Sequence, residues 1–463
     1  MASLNALRAD AETWLEEMGR ARAQAAPGAA QLAAVDAAHP EVVSPETARA
    51  VRALLGSSRV PEHELPRLRI LARFLEDASL EAAAREGHSA LDAARWRSAP
   101  ESGVDAPLAE AEAELALTEE RPARLQREAA VSRGWEGLLA RAQRVQSELA
   151  DGASALGASS VAALLDGRRD PAWPALDLDG FLRTTEDAYR DVVGWALGKV
   201  APRLLPLPRG DATLADLERV RTLPGYPGAL DEADEALRAW AVRLPDAEKR
   251  ARHLRTRPVP APAARAIAVD VPEQIELLLP VGTQSADLPR RFFWTGCALH
   301  LASVESEAPV EHRWMGDRAV VAASGWVVRG LLWRERWLRS ALGLGRATAR
   351  ELARMEALVA LGTLRAEAAL QPHLRTMATE GPTVQRLGEA GEALSAALAS
   401  CLWAEADRRF DADDLRNPVA ARWLVAIWSQ GAPEMPEQMA TALCASQLGL
   451  ERIGAELVAV LGA

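Results

Sequence analysis

One cysteine and two histidines near the middle of the chain have types and spacing that could do chemistry. Cys297 and His300 are three positions apart, so on a helix they would share one face. Glu311 and His312 follow in a polar stretch. Thiolate, imidazole and carboxylate groups all bind zinc, so these four residues could form a metal site. Cys297 could instead act as a nucleophile with His300 as its base.

Both hypotheses have a simpler alternative. A small buried cysteine and a hydrogen-bonded core histidine are ordinary packing residues. A catalytic thiol also needs a lowered pKa and an oxyanion site, and nothing in the sequence indicates either. The sequence therefore leaves two hypotheses open. In one, the protein is an enzyme with a non-standard site around Cys297, His300 and His312, and in the other these residues are structural.

These residues lie on or between two apolar segments. The segment LPRRFFWTGCALHLA predicts a helix at about 288–302. The segment RAVVAASGWVVRGLL predicts a second helix within about 316–340, and the polar stretch SVESEAPVEHRWMGD connects the two. Just upstream, apolar residues alternate along Ile267–Val271 and Ile275–Leu279, which predicts a small sheet at about 265–280.

The rest of the chain is typical of helices, so we expect a mainly α protein. Ser44 followed by Pro45 is a helix start with a capping hydroxyl. A long helix is predicted from Phe181 to Val200, and two long helices are predicted within 105–150. A Pro/Ala-rich connection at 256–264 suggests two units, an N-terminal helical lobe over 1–255 and a second lobe over 256–463.

Three segments of the chain resemble, in order, motifs of the oligopeptidase F and thimet oligopeptidase superfamily of zinc peptidases. Phe292–His300 reads FFWTGCALH, which resembles the family's F-H-E-x-G-H-A-x-H. Glu311–Asp317 reads EHRWMGD, which resembles E-x-R-x-L-G-D, and Thr185–Tyr189 resembles a T-E-x-x-Y of one branch. The resemblance implies a large two-lobed helical metallopeptidase-like fold, with a small β-sheet beside the zinc helix.

The chain departs from the family at the metal site. On this match, Phe293 and Cys297 stand where the family has its two zinc-binding histidines. Trp294 replaces the glutamate that acts as general base, and Ala322 replaces the glutamate that is the third ligand. The resemblance thus implies a degenerate peptidase that is not an enzyme and that uses no metal or other cofactor.

Composition and charge limit the classes of partner that the chain is expected to bind. The 463 residues carry a net charge of −11, which argues against non-specific binding to nucleic acid or anionic membranes. The three cysteines are far apart and suggest no disulfide framework. The first residues read as an amphipathic helix, and no apolar run is long enough to span a membrane. We therefore expect a cytoplasmic protein.

From these observations we expect an inactive metallopeptidase-like protein, a pseudopeptidase, that acts as a scaffold or adaptor binding a protein or peptide. Five residues are candidates for its cleft: Trp294, Cys297, His300, His312 and Trp326. A structural subunit of an oligomer, including a homo-oligomer, remains an alternative. Tryptophan and arginine alternate along 333–339, a pattern that can bind bases or phosphates, although tryptophan facing inward and arginine outward is the simpler interpretation.

Overall fold

A computed structural model describes residues 2–24, 29–58, 60–96, 98–99, 104–115, 118, 120–168, 176–200, 216, 229–259, 264–280, 288–380, 391–411, 417–433, 435–444 and 448–462. The sequence also predicts a helix over 211–220 and loops at 170–174 and 224–228, and Arg416-Asn417-Pro418 resembles an R-N-P segment of the same peptidase superfamily. The helix apart from Asp216, both loops and Arg416 lie outside the described residues.

Helices make up most of the described chain, which confirms the mainly α prediction. In order they are α1 (Ala2–Arg22), α2 (Ala29–Ala38), α3 (Pro40–Val43), α4 (Pro45–Leu54), α5 (Leu65–Ala83), α6 (Arg85–Arg95), α7 (Leu108–Leu115), α8 (Arg121–Ala155), α9 (Val161–Gly167), α10 (Leu178–Val200), α11 (Ala229–Val242), α12 (Ala247–His253), α13 (Leu288–Leu301), α14 (Val310–Trp314), α15 (Arg318–Arg329), α16 (Glu335–Ala341), α17 (Arg346–Glu380), α18 (Gly391–Phe410), α19 (Pro418–Trp428), α20 (Pro436–Cys444) and α21 (Glu451–Gly462). Short 3₁₀ turns cover Glu62–Glu64 and Gly330–Trp333. None of the described helices is long and apolar enough to cross a membrane.

Five strands form two small sheets. Strands β1 (Ser98–Ala99) and β2 (Val104–Pro107) pair antiparallel. Strands β3 (Leu254–Val259), β4 (Arg265–Asp270) and β5 (Gln274–Pro280) form the sheet beside α13, in the order β3-β5-β4. In this sheet β5 runs parallel to β3 and antiparallel to β4. The two predicted strands are confirmed as β4 and β5, and β3 was not predicted.

Local signals account for many of the helix ends. The Ser44 hydroxyl accepts the Thr47 backbone N–H at 3.2 Å and caps α4, as its sequence predicts. The two long helices predicted within 105–150 are instead the short α7 and the 35-residue α8, because β2 occupies the first of these residues. The helix predicted over 316–340 is divided into α15, a 3₁₀ turn and α16.

The core consists of a large hydrophobic cluster and smaller ones. The large cluster joins α10 and α11 to α13 and to the helices from α15 onward, through residues such as Phe181, Trp240 and Trp326. A second cluster joins α1 to α5, α8 and α9, and it also includes Met315 from the connection before α15. Phe181 and Trp240 precede residue 255, so the larger core spans that position, and the division into lobes 1–255 and 256–463 stays a prediction.

Helices α13 and α15 cross at very close range. A Cβ atom on Gly296 of α13 would lie 2.8 Å from the Gly325 Cα of α15, and it would also collide with the Ser324 carbonyl. Only glycine fits at such a contact. The crossing sets how the faces of the two helices meet, and these faces carry the candidate site residues.

The close crossing makes Gly296 sensitive to a single methyl group. We expect Gly296→Ala to lower the free energy of unfolding by about 3 kcal/mol, because overpacking forces the backbones of the two helices apart. Urea unfolding monitored by circular dichroism measures this. The matched control is Gly137→Ala in α8, where an added Cβ meets no atom within 4 Å. We expect this substitution to change the free energy of unfolding by about 1 kcal/mol or less. Equal effects at the two sites would contradict the account.

Candidate functional site

The face of α13 that would carry zinc ligands in the family packs directly on α15. The position of an absent Cβ on Gly325 lies 2.7 Å from the Phe293 ring and 2.8 Å from the Cys297 sulfur. The two side chains therefore occupy the space that a larger residue at Gly325 would fill. They close the interface between the two helices at this point.

Cys297 has neither the exposure nor the acidity of a reactive thiol. Its side chain is buried in the interface. Burial raises the pKa of the Cys297 thiol to about 12, although hydrogen bonding from the Gly325 backbone acts in the opposite direction. The thiol stays protonated at neutral pH, whereas metal ligation and nucleophilic attack both need the thiolate.

His300 is held as a core histidine. Its Nδ1 lies 2.8 Å from the Ser324 hydroxyl oxygen of α15, and its ring packs 6.3 Å from that of Trp428. Burial lowers the pKa of His300 to about 4, so the ring is neutral at pH 7. Cys297 and His300 thus contact neighbouring residues of the same helix, Gly325 and Ser324, and each is buried there.

Aromatic rings contact one another around Phe293 in this interface. Phe293 meets Trp294 edge-on at 5.0 Å between ring centroids, and it meets Trp326 edge-on at 6.5 Å. Trp326 is fully buried, with the Arg329 guanidinium 4.4 Å above its ring. Phe293, Trp294 and Ala322 are each half-buried. Residues 293, 294 and 322 therefore contribute to the surface as well as to the interior.

The motif Glu311–Asp317 links α14 and the start of α15 to the N-terminal helices through hydrogen bonds and ion pairs, and we call this link the tie. The Glu311 side chain is completely buried, and its carboxylate accepts hydrogen bonds from Arg8 Nε at 2.6 Å and from Arg67 Nη2 at 3.0 Å. Arg8 belongs to α1 and Arg67 to α5. One carboxylate therefore joins α14 to two helices of the N-terminal part.

The other motif residues make similar long-range contacts. Arg313 donates to the Val271 carbonyl at 2.9 Å and pairs with Glu12 of α1. Asp317 caps α15 through the Ala319 N–H and accepts from Arg73 of α5 at 2.8 Å. A Cβ on Gly316 would collide with Ala432, so this position needs glycine. These contacts give Arg313, Gly316 and Asp317 structural roles.

His312 lies apart from the α13–α15 contacts just described. Its carbonyl accepts the Ala432 N–H at 2.9 Å, and a side chain on Gly431, whose φ is +71°, would collide with that carbonyl. Burial lowers the pKa of His312, and Arg67 adds to the effect while Glu311 opposes it. His312 is half-buried, as part of the tie to the N-terminal helices.

The residues present do not fit a catalytic zinc. Zinc in peptidases is held by three nitrogen, oxygen or sulfur ligands, whereas the matched positions carry two hydrocarbon side chains, Phe293 and Ala322, and one protonated thiol, Cys297. Across the residues that the structure describes, no group of three His, Cys, Asp or Glu side chains could hold a metal ion.

Several partners of these motifs had no local signal in the sequence. Arg365 of α17 donates to the Thr185 hydroxyl at 2.6 Å, pairs with Glu186 and lies 4.8 Å over the Tyr189 ring. All three marked residues of the T-E-x-x-Y segment thus meet one arginine about 180 residues away. Arg8 and Arg67 were equally unmarked, because sequence alone does not reveal pairing between distant segments.

Comparison with solved structures identifies the architecture. The chain superposes on an M32 carboxypeptidase from Deinococcus radiodurans R1 with TM-score 0.57 and 11% identity, covering 100% of both chains. It superposes on metallocarboxypeptidase 1 of Trypanosoma cruzi with TM-score 0.55 and 13% identity, covering 99% of this chain and 97% of the other. For PZ peptidase A, solved with an inhibitor, the TM-score is 0.61 at 11% identity, covering 99% and 96%.

The chain has a metallopeptidase-like fold. The similarity extends over whole chains, small sheet included, so the predicted fold class is confirmed. At 11–13% identity it establishes the fold alone. The sequence itself matches no protein-family model and no curated protein.

Removing the charge of Glu311 tests the structural role of the motif. We expect Glu311→Gln to lower the free energy of unfolding by about 3 kcal/mol, because Arg8 and Arg67 lose their buried counter-charge. The control is Glu46→Gln, whose side chain is 72% exposed and pairs with Arg49 in solvent, so we expect a much smaller loss there. Chemical unfolding of both variants decides. A loss at Glu311 no larger than at Glu46 would exclude a structural tie.

The buried His300 side chain makes the stability of the protein depend on pH. Its pKa of about 4 in the folded chain lies below the ordinary value of 6.5, so the unfolded chain binds a proton first as pH falls. We therefore expect the wild type to lose about 2 kcal/mol more stability than His300→Gln between pH 7 and pH 5. Urea titrations at the two pH values measure the difference. Parallel losses in both proteins would show that His300 is not held neutral.

Proposed function

We propose that this protein is a catalytically inactive member of the metallopeptidase-like folds, and that it binds a protein or peptide partner. One observation carries the proposal. Phe293 and Cys297 stand at the positions of two zinc-binding histidines and pack against Gly325, so the helix face that would hold a metal is filled. Trp294 and Ala322 further lack the carboxylates that would serve as base and third ligand.

The framework around this face supports a binding role. Glu311 and Asp317 keep their motif positions and join α14 and α15 to the N-terminal helices. Half-buried aromatic residues, Phe293 and Trp294, offer contact area of the kind that partner proteins use. We propose that the cleft residues at this end, Trp294 above all, contact the partner, and that the protein acts in the cytoplasm without a cofactor.

The alternative enzyme around Cys297, His300 and His312 is weakly supported. Burial keeps the Cys297 thiol protonated, and the His300 ring lies against Ser324 rather than acting as a partner of the thiol in any described hydrogen bond. His312 belongs to the tie at Glu311. The oligomer-subunit alternative has no observation in its favour among the described contacts.

Two experiments test the proposal. The first measures peptide hydrolysis, and the second measures contact between the cleft and a partner. Quenched-fluorescence peptides and C-terminal amino-acid release should give no hydrolysis above the background of a buffer blank after incubation with zinc. Cys297→Ala and His300→Ala should leave that background unchanged. Hydrolysis that either substitution abolishes, in a variant that still folds by circular dichroism, would overturn the proposal in favour of an enzyme.

Photo-crosslinking tests the cleft. A benzophenone amino acid placed at Trp294 should crosslink a defined protein in native lysate, because this position is proposed to touch the partner. The matched control is the same group at Trp96, which directly follows α6 and is 42% exposed. The same products from both positions would indicate unspecific contact and would contradict the proposed cleft.

A further inference from the structure

An arginine cluster lies on the surface where α16 meets the start of α17. The Glu335 carboxylate faces Arg339 at 3.8 Å, Arg346 at 3.7 Å and Arg350 at 3.6 Å, measured between nitrogen and oxygen. These distances exceed the usual length of a hydrogen bond. Three guanidinium groups therefore share one loosely held carboxylate, which leaves two positive charges in excess.

The cluster is open to solvent. The side chains of Arg339, Arg346 and Arg350 are 51%, 72% and 45% exposed. In the part of the chain that the structure describes, these three guanidiniums make no hydrogen bond. Some exposed arginines are paired more tightly, such as Arg144, whose Nε donates to Glu148 at 2.8 Å.

The helices beneath the cluster are firmly placed. Trp337 and Leu338 of α16 and Ala349 of α17 are fully buried in the large core. The arginines thus project from a rigid base, and Arg346 and Arg350 lie one turn apart on the same face of α17. The arrangement suits several carboxylates spaced along a short segment, because each guanidinium can bind one carboxylate through two N–H groups.

The observations favour a protein partner over other polyanions. Trp333 and Trp337 are buried, so no aromatic surface of this segment is available for stacking bases, which single-stranded nucleic acids require. The chain's net charge of −11 repels nucleic acid and anionic bilayers at long range. A short acidic segment carries fewer negative charges, so its electrostatic interaction is mainly the attraction to the nearby arginine cluster.

We propose that Arg339, Arg346 and Arg350 bind an acidic segment, rich in Asp and Glu, of the protein partner. The inference rests on the proposed binding function and names the chemistry of the partner. Glu335 holds the three arginines near one another and competes with the incoming carboxylates, so it sets the affinity of the surface.

Fluorescence polarisation with a labelled octa-glutamate peptide tests this on the full chain. We expect the triple variant R339E/R346E/R350E to bind the peptide at least about tenfold more weakly than the wild type. Glu335→Gln should bind it several-fold more tightly, since a competing charge is removed. The matched control is R20E/R49E/R144E, which changes net charge equally at arginines of 56%, 49% and 60% exposure that already have hydrogen-bonded carboxylates. It should stay within about twofold of the wild type.

Three results would overturn the proposal. They are an absence of peptide binding, an equal loss in both triple variants, and weaker binding by Glu335→Gln. Preference for a phosphoserine peptide or inorganic phosphate over the glutamate peptide would assign the surface to phosphate and would also overturn it. None of these results bears on peptide hydrolysis or on crosslinking at Trp294, so the proposed function would stand or fall separately.

Discussion

The contact between Gly296 on α13 and the Ser324–Gly325 backbone on α15 determines how the centre of this protein is built. With the two backbones so close, the face beside the contact has room for few side chains, and Phe293 and Cys297 fill it. The same packing buries His300 against Ser324 and depresses its basicity. The chemistry of the site is thus set by burial, which neutralises groups that could otherwise react.

A second feature of the structure is the set of hydrogen bonds from Glu311–Asp317 to the N-terminal helices. Both carboxylate oxygens of Glu311 accept hydrogen bonds, one from Arg8 and the other from Arg67, and both arginines are distant from Glu311 in the sequence. Arg313 and Asp317 reach the same N-terminal helices. Selection for a folded chain would retain these residues whether or not a metal is bound, because losing one leaves a buried charge unpaired.

Many of the helices and strands could be predicted from the sequence. The contacts between distant segments could not, because they leave no pattern among neighbouring residues. Alternation gave β4 and β5, and apolar segments gave α13 and α15, because these patterns depend on neighbouring residues. Strand β3 was missed, since Pro258 and the Pro/Ala-rich residues after it resemble a connection, yet β3 is an exposed edge strand that tolerates proline. The tie between Glu311 and Arg8 spans 303 residues and has no local signal. Cys297 and His300 share a face as expected, but only burial reveals that neither is reactive.

We propose above all that the helix face at 293–300 cannot hold zinc. The most direct test is the zinc content of the purified protein by elemental mass spectrometry, after loading with zinc and exchange into metal-free buffer, with Cys297→Ala measured in parallel. We predict far less than one zinc per chain in both proteins. One tightly held zinc per chain in the wild type, lost in Cys297→Ala, would contradict the claim and would require a ligand set that includes the buried thiol.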